Sequence, residues 1–273
     1  MSLVAASRSE LTKQFSVAAW WVLALILVVY VGFTATALAW ALAVAASGAA
    51  LPGGETGIGD EQLAPFLYSL AASIGYVFPV IVGTLIVTSE LRHQTLTPTF
   101  LATPRRGLVL AAKLLSGVVL GLLFAVLSLV STVAPAAALL AGYGLDPALT
   151  AGDTWALLGR IVLALVLWTL VGVGIGTLVR NQVAAIVIVL AFTQFVEPIV
   201  RLASASVEGL RDATAYLPGA AGDALVGYSF LALAGGGTAV QPLEWWAGGL
   251  VLAGYALVLL ALGHLLSWRR DVG

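Results

Sequence analysis

From Trp20 to about Ala46 the chain runs without a charged side chain, longer than the ~20 residues a helix needs to cross bilayer hydrocarbon. No other feature constrains folding as strongly. A backbone surrounded by lipid must satisfy its own hydrogen bonds, and within one segment only a helix does so. The remainder of the chain repeats the constraint: of 273 residues 61 % are hydrophobic and 9 % charged, with mean hydropathy +1.07. A soluble globule has no interior large enough for that apolar surface. The expectation is an all-α integral membrane protein with six transmembrane helices, at about 20–46, 64–89, 108–141, 154–179, 183–201 and 246–268, forming a single domain over 1–273. The absence of cysteine excludes a disulfide framework and thiolate metal sites.

Ahead of the first span, Ser7 and Glu10 have capping-box spacing, with Leu11 and Phe15 on one face and Arg8, Lys13 and Gln14 on the other. This pattern predicts an interfacial helix lying flat on the membrane; a frayed N-terminus is the alternative. A signal peptide ending near Ala43-Val44-Ala45 is disfavoured, because an h-region has only ~7 to 15 apolar residues. Span two holds Gly75, Pro79 and Gly83, predicting a bend at Pro79. In span three Gly117 and Gly121 form a small-xxx-small pair, and Pro135 is expected to break the last turns. Gly172, Gly174 and Gly176 give span four a further glycine face. Spans four and five are joined only by Arg180, Asn181 and Gln182 and form a tight hairpin. Glu197 then falls in the far third of the bilayer, before Pro198 and four residues ahead of Arg201, the favourable order for a helical ion pair. About 202–244 is too polar to span and too apolar for an ordinary loop, and short re-entrant helices fit it.

Charge fixes the expected orientation. One side of a six-span layout collects Arg8, Lys13, Arg92, Arg105, Arg106, Lys113, Arg180, Arg269 and Arg270 with both termini. The other has only Arg160, Arg201 and Arg211 among ten carboxylates, including Glu55, Asp60, Glu61, Asp146, Asp153 and Glu208. The positive-inside rule puts the termini and the connection between spans two and three in the cytoplasm. That connection, Glu90 to Lys113, is the cation-rich interruption of the apolar first half. A short helix fits between its prolines, with Thr97 as N-cap, Pro98 at the first helical position and Thr103 forced out of helix by Pro104. Under two turns long, it needs outside support. Phe100 and Leu96 are suited to anchor in an apolar groove, ringed by Glu90, Arg92, Arg105 and Arg106.

The order Glu90, Thr95-Leu96, Thr103-Pro104, Arg106 and Lys113 resembles the loop between the second and third spans of ABC-2 type ABC transporter permeases. Glu10-Leu11-Thr12-Lys13 resembles that family's interfacial connecting helix. Arg180-Asn181, Glu197-Pro198 and Tyr216-Leu217-Pro218 are similar to its bacterial, multidrug-exporter-like members. Gln94 departs from the pattern, which often has Gly before the Thr. The resemblance implies a bacterial plasma-membrane permease with a coupling helix at about 91–101. Glu90, Leu91, Arg92, Thr95, Leu96, Thr97, Pro98, Thr99, Phe100, Leu101, Arg105 and Arg106 would meet an ATP-binding subunit. Glu10, Leu11, Lys13 and Phe15 would form the connecting helix, and Glu197, Pro198 and Arg201 an outer gate or pathway. It further implies two ATP-binding subunits carrying ATP and Mg, a second permease chain, identical or not, and membrane lipid as partners, with no nucleic acid.

No glycine-rich phosphate loop ending in Lys-Ser or Lys-Thr occurs, so nucleotide hydrolysis is assigned to a partner chain and this one is read as a non-enzyme. His93 and His264 stand too far apart for a metal pair, and neither a cofactor nor a metal is expected in this chain. The expected function is export of amphipathic or hydrophobic compounds, with spans two and five lining the pathway. A non-transporting scaffold or sensor, and an intramembrane enzyme using Glu197, remain as alternatives.

Overall fold

A computed structural model describes residues 2–46, 58–103, 105–179, 181–204, 210–231 and 243–268. Glu55, Pro104, Arg180, Glu208, Arg269 and Arg270, and the side chains of Asp60, Leu96, Thr97 and Arg211, lie outside what it describes. The described chain is helical throughout, with no strand, and six helical stretches are long and apolar enough to cross a membrane: Ala19–Ala46, Glu61–Arg92, Arg106–Gly142, Gly152–Leu178, Gln182–Ser204 and Trp245–Leu266. These are the six expected spans, displaced by a few residues at their ends.

The first helix, α1 (Leu3–Ser16), is capped by the Ser2 side chain, which accepts from the Ala5 N–H. The expected capping box at Ser7 and Glu10 is therefore not formed. Ser7 lies inside the helix and donates to the Leu3 carbonyl, and Glu10 is drawn into an ion cluster. Span one is α2 (Ala19–Ala46), which packs along span three, α6 (Arg106–Gly142).

Span two is two helices, α3 (Asp60–Ser73) and α4 (Val77–Arg92). The break falls at Ile74 to Tyr76, four residues before the proline on which the sequence centres it. A proline ring displaces the carbonyl one turn back and offers it no N–H. Gly75, that residue, gives its carbonyl to Phe78 N instead, and the Ala71 carbonyl freed by the break accepts from Ser128 Oγ of α6 at 2.7 Å. A neighbouring helix thus restores the hydrogen bond the interruption removes.

Pro135 does not break span three, contrary to expectation. The helix continues to Gly142, and Ala136 and Leu140 beyond the proline are fully buried. A proline removes a single donor, to the Ser131 carbonyl; the intact turns on either side and the packing beyond it outweigh that loss.

Span four, α7 (Gly152–Leu178), is the central helix, in contact with α3, α4, α6 and span six. Glycine sets its closest crossing. A methyl at Gly83 would overlap the Thr169 carbonyl, and one at Gly172 the Val80 carbonyl. The three glycines expected to form one face are therefore split between two partners: Gly172 and Gly176 meet α4 while Gly174 meets Leu259 of span six, and Thr84 Oγ1 links α4 to α7 by donating to Gly172 O at 3.2 Å. Span five comprises α8 (Gln182–Ala191), a π turn (Phe192–Val196) and α9 (Glu197–Ser204). Asn181 caps α8 by accepting from Val183 N and Ala184 N, leaving three residues between the end of span four and the start of span five. Among the described residues two short helices follow, α10 (Leu210–Thr214) and α11 (Pro218–Val226), the second packed on α3, α7 and span six, α12 (Trp245–Gly263).

Candidate functional site

The connection between α4 and α6 contains a further short helix, α5 (Leu96–Ala102), as the prolines imply. It begins earlier than expected: Thr95, not Thr97, is the N-cap, and it makes no side-chain capping bond. Gln94 just before it has φ 55. This left-handed conformation favours glycine.

Beside α5, charges from three helices meet. Lys13 Nζ of α1 donates to Glu10 Oε1 at 2.6 Å and to Glu90 Oε1 at 2.8 Å. Lys113 Nζ of α6 donates to Glu10 Oε2 at 2.7 Å and to the Ile86 carbonyl at 3.2 Å. It also forms an ion pair with Glu90 Oε2 at 2.8 Å. The four side chains form a closed ring of alternating sign with no net charge. Lys113 is fully buried, Glu10 and Glu90 nearly so, while Lys13 is 39 % exposed. Burial opposes ionisation of Glu10, but Lys113 and Lys13 outweigh it and hold its pKa below the usual glutamate value. Burial likewise opposes the Lys13 charge, and the hydrogen bonds to Glu10 and Glu90 more than compensate, raising its pKa. Lys13 also reaches Thr99 Oγ1 at 3.3 Å, which ties α5 to the ring.

This arrangement reassigns several predicted residues. Glu90, expected on the rim of a partner contact, is turned inward. Leu91 and Phe100 are partly buried against the core of α2, α4 and α6, and the Arg106 guanidinium lies 5.2 Å over the Phe100 ring. Phe100 is therefore partly committed within the chain. Among the described side chains of α5, Leu101 is the outward apolar one, 78 % exposed, and Arg92, Thr95, Pro98 and Arg105 are exposed as well. Leu11 is half-buried, and exposed Phe15 stacks edge-on with Trp20, centroids 5.1 Å apart. Lys113, read from the sequence as a topology cation, is the most buried member of the ring. Its signal was a lysine inside an apolar helix, where a charge must be paired.

At the other end of the bundle Glu197 is 3 % exposed. It does not pair with Arg201. Its Oε1 accepts from Ala220 N at 2.9 Å at the first turn of α11, and a methyl on Gly219 would collide with the carboxylate. The positive end of a helix favours such an anion. Arg201 instead donates to Asp223 Oδ2 at 2.7 Å, and Ser229 Oγ donates to the same oxygen at 2.7 Å. Pro198, partly buried, follows the π turn. These groups border a cavity of ≈ 170 Å³ with Tyr76, Trp168 and Gln194. Tyr76 stands at the break of span two and Gln194 in the π turn of span five. The Tyr76 hydroxyl donates to the Thr193 carbonyl at 3.2 Å and accepts from Gln194 Nε2 at 3.0 Å, so the two irregular segments hold each other.

Among the described residues no group of His, Asp and Glu is placed to hold a metal ion. No family model matches the chain, and no curated protein matches it.

Proposed function

We propose that this chain is the transmembrane subunit of an ATP-driven transporter of the ABC-2 permease type, exporting amphipathic or hydrophobic compounds across a bacterial plasma membrane. In this reading both termini and α5 are cytoplasmic. Two ATP-binding subunits carry ATP and Mg, and a second permease chain, identical or not, completes the pathway. α1 is the interfacial connecting helix, α5 the coupling helix, and α10 and α11 are re-entrant helices that close the outer side.

The observation that carries the reading is the ion ring. A seven-residue helix has too few internal hydrogen bonds to stand alone. Lys13, which bonds to Thr99 on α5 and to Glu90 on α4, and Lys113, at the start of α6, fasten that helix to the ends of spans two and three. A force applied at exposed Leu101 would pass to both spans rather than be lost in a pliant loop. Span two then carries it to the break at Gly75 and the cavity around Glu197.

The test is purification of the full chain from its native membrane in mild detergent. An ATP-binding subunit with ATPase activity should accompany it, and Leu101→Asp should cut the recovered subunit by at least about tenfold, the loss expected of an apolar anchor at an interface centre. Recovery of the chain with no ATPase under any condition would sink the reading in favour of a scaffold or sensor.

A further inference from the structure

At the end of the bundle opposite the ion ring lies a cavity of ≈ 500 Å³ that no step of the transport reading uses. Glu61 at the start of α3, Asp146 in the α6–α7 connection, and Asp153 and Arg160 on α7 line it, with Tyr228 beyond α11. Its charges are arranged oddly. The Nε of Arg160 is buried and has no hydrogen-bond partner, and among the described residues Arg160 forms no ion pair, although three carboxylates share its cavity. Asp146 is occupied locally, its Oδ1 accepting from Ala148 N at 2.8 Å. Glu61 and Asp153 are exposed at the mouth, while Arg160 is half-buried in the wall. Its Nε, shut off from water and without a partner, is an unmet donor that a group bound in the cavity would satisfy.

The charge pattern selects the group. A simple anion would be repelled by the carboxylates at the mouth, and a simple cation would leave Arg160 unmatched. A zwitterion satisfies both ends. Depth selects its orientation. Arg160 lies eight residues into α7, ~12 Å along the axis, and its side chain leans toward the helix N-terminus, back toward the interface. Exposed Trp155 marks that interface level. The inner position is therefore cationic and the outer position anionic. In an aminophospholipid headgroup the phosphate lies nearer the hydrocarbon and the ammonium beyond it, which is the complementary order.

We propose that this cavity binds a phosphoethanolamine group, with its phosphate on Arg160 and its primary ammonium between Glu61 and Asp153, supplied by an ethanolamine phospholipid of the surrounding leaflet or by a free phosphoethanolamine ester. A primary ammonium offers three N–H donors to carboxylates and a choline none, so the site discriminates between the two headgroups. This assignment stands independently of coupling to an ATPase.

The experiment is native mass spectrometry of the full chain released from nanodiscs containing equal amounts of ethanolamine and choline phospholipids. Wild type should retain the ethanolamine lipid in preference by about tenfold, as one pair of charge-assisted hydrogen bonds allows. Arg160→Gln should abolish retention of both headgroups at this site, while Arg160→Lys should restore part of it. The double variant Glu61→Gln with Asp153→Asn should keep retention but bring the preference to about one. That pair lies at the exposed mouth and carries the test alone if Arg160→Gln fails to fold. Added soluble phosphoethanolamine that displaces the lipid assigns the site to headgroup chemistry from either source; failure to displace it assigns it to the lipid. Equal retention of both lipids by wild type, or a preference unchanged in the double variant, would show a merely hydrated cavity and overturn the proposal.

Discussion

The chain buries charge at both ends of its bundle, and the two clusters are built differently. At the α5 end, two lysines and two glutamates from α1, α4 and α6 close into a ring in which each charge meets two of opposite sign. At the other end, Glu197 rests on backbone N–H of α11 and Arg201 rests on Asp223, two separate contacts around a cavity and beside two interrupted helices. A neutral ring in which every member has two partners moves as one body. Independent contacts, next to a break and a π turn, can separate in succession. In the transport reading the first is the clamp that delivers motion and the second is the closure that yields to it.

The largest effect should come from opening the ring at its most buried member. Lys113→Met leaves two buried carboxylates facing each other and should cost about 3–5 kcal/mol, read as a fall in thermal unfolding temperature of the detergent-purified chain. A loss below about 1 kcal/mol would mean that the ring contributes nothing as a unit. At the opposite end, Glu197→Ala removes the acceptor for Ala220 N and should cost about 1–3 kcal/mol, whereas Glu197→Gln keeps a carbonyl oxygen there and should cost less. If the two variants are equally unstable, the charge and not the hydrogen bond holds α11.

Acidity separates the regions further. Glu10 has a depressed folded pKa, so its contribution is present above the unfolded value of 4.5 and is lost as pH falls through the folded one. Lys13 has a raised folded pKa, so its contribution is complete below 10.5 and is lost as pH rises through the folded value. The protection of α1 amides, taken as exchange relative to the intrinsic rate at each pH, should therefore be greatest in the broad range between these limits and fall outside both; protection independent of pH would show that α1 is held by packing alone. The smallest effect should be a gain: Gln94→Gly relieves a left-handed backbone at the start of α5 and should stabilise by up to about 1 kcal/mol.

The clusters also differ in how far sequence reveals them. Spans are read from hydrophobic length, a local property, and all six emerged within a few residues of their observed ends. Short α5 was visible in its prolines for the same reason. The ring was not. Glu10 and Lys13 sit within one turn, but their bonds to Glu90 and Lys113 join residues far apart in sequence. Spacing along a helix carries no information about such partners. The same limit explains Glu197 and Arg201, whose i,i+4 spacing suggested each other while the tertiary fold supplied α11 and Asp223. Proline effects failed in a third way. Pro79 acts one turn upstream, and Pro135 is overridden by packing, because each consequence depends on what the neighbouring helix offers.

The central claim is that the ring makes α5 a rigid lever for a soluble ATP-binding subunit, and site-specific photo-crosslinking from position 101 in native membranes tests it most directly. The account predicts a crosslink to an ATP-binding protein that persists in Glu197→Gln and is lost in Lys113→Met at matched expression. A crosslink to lipid alone, or to a protein on the outer face, would contradict it.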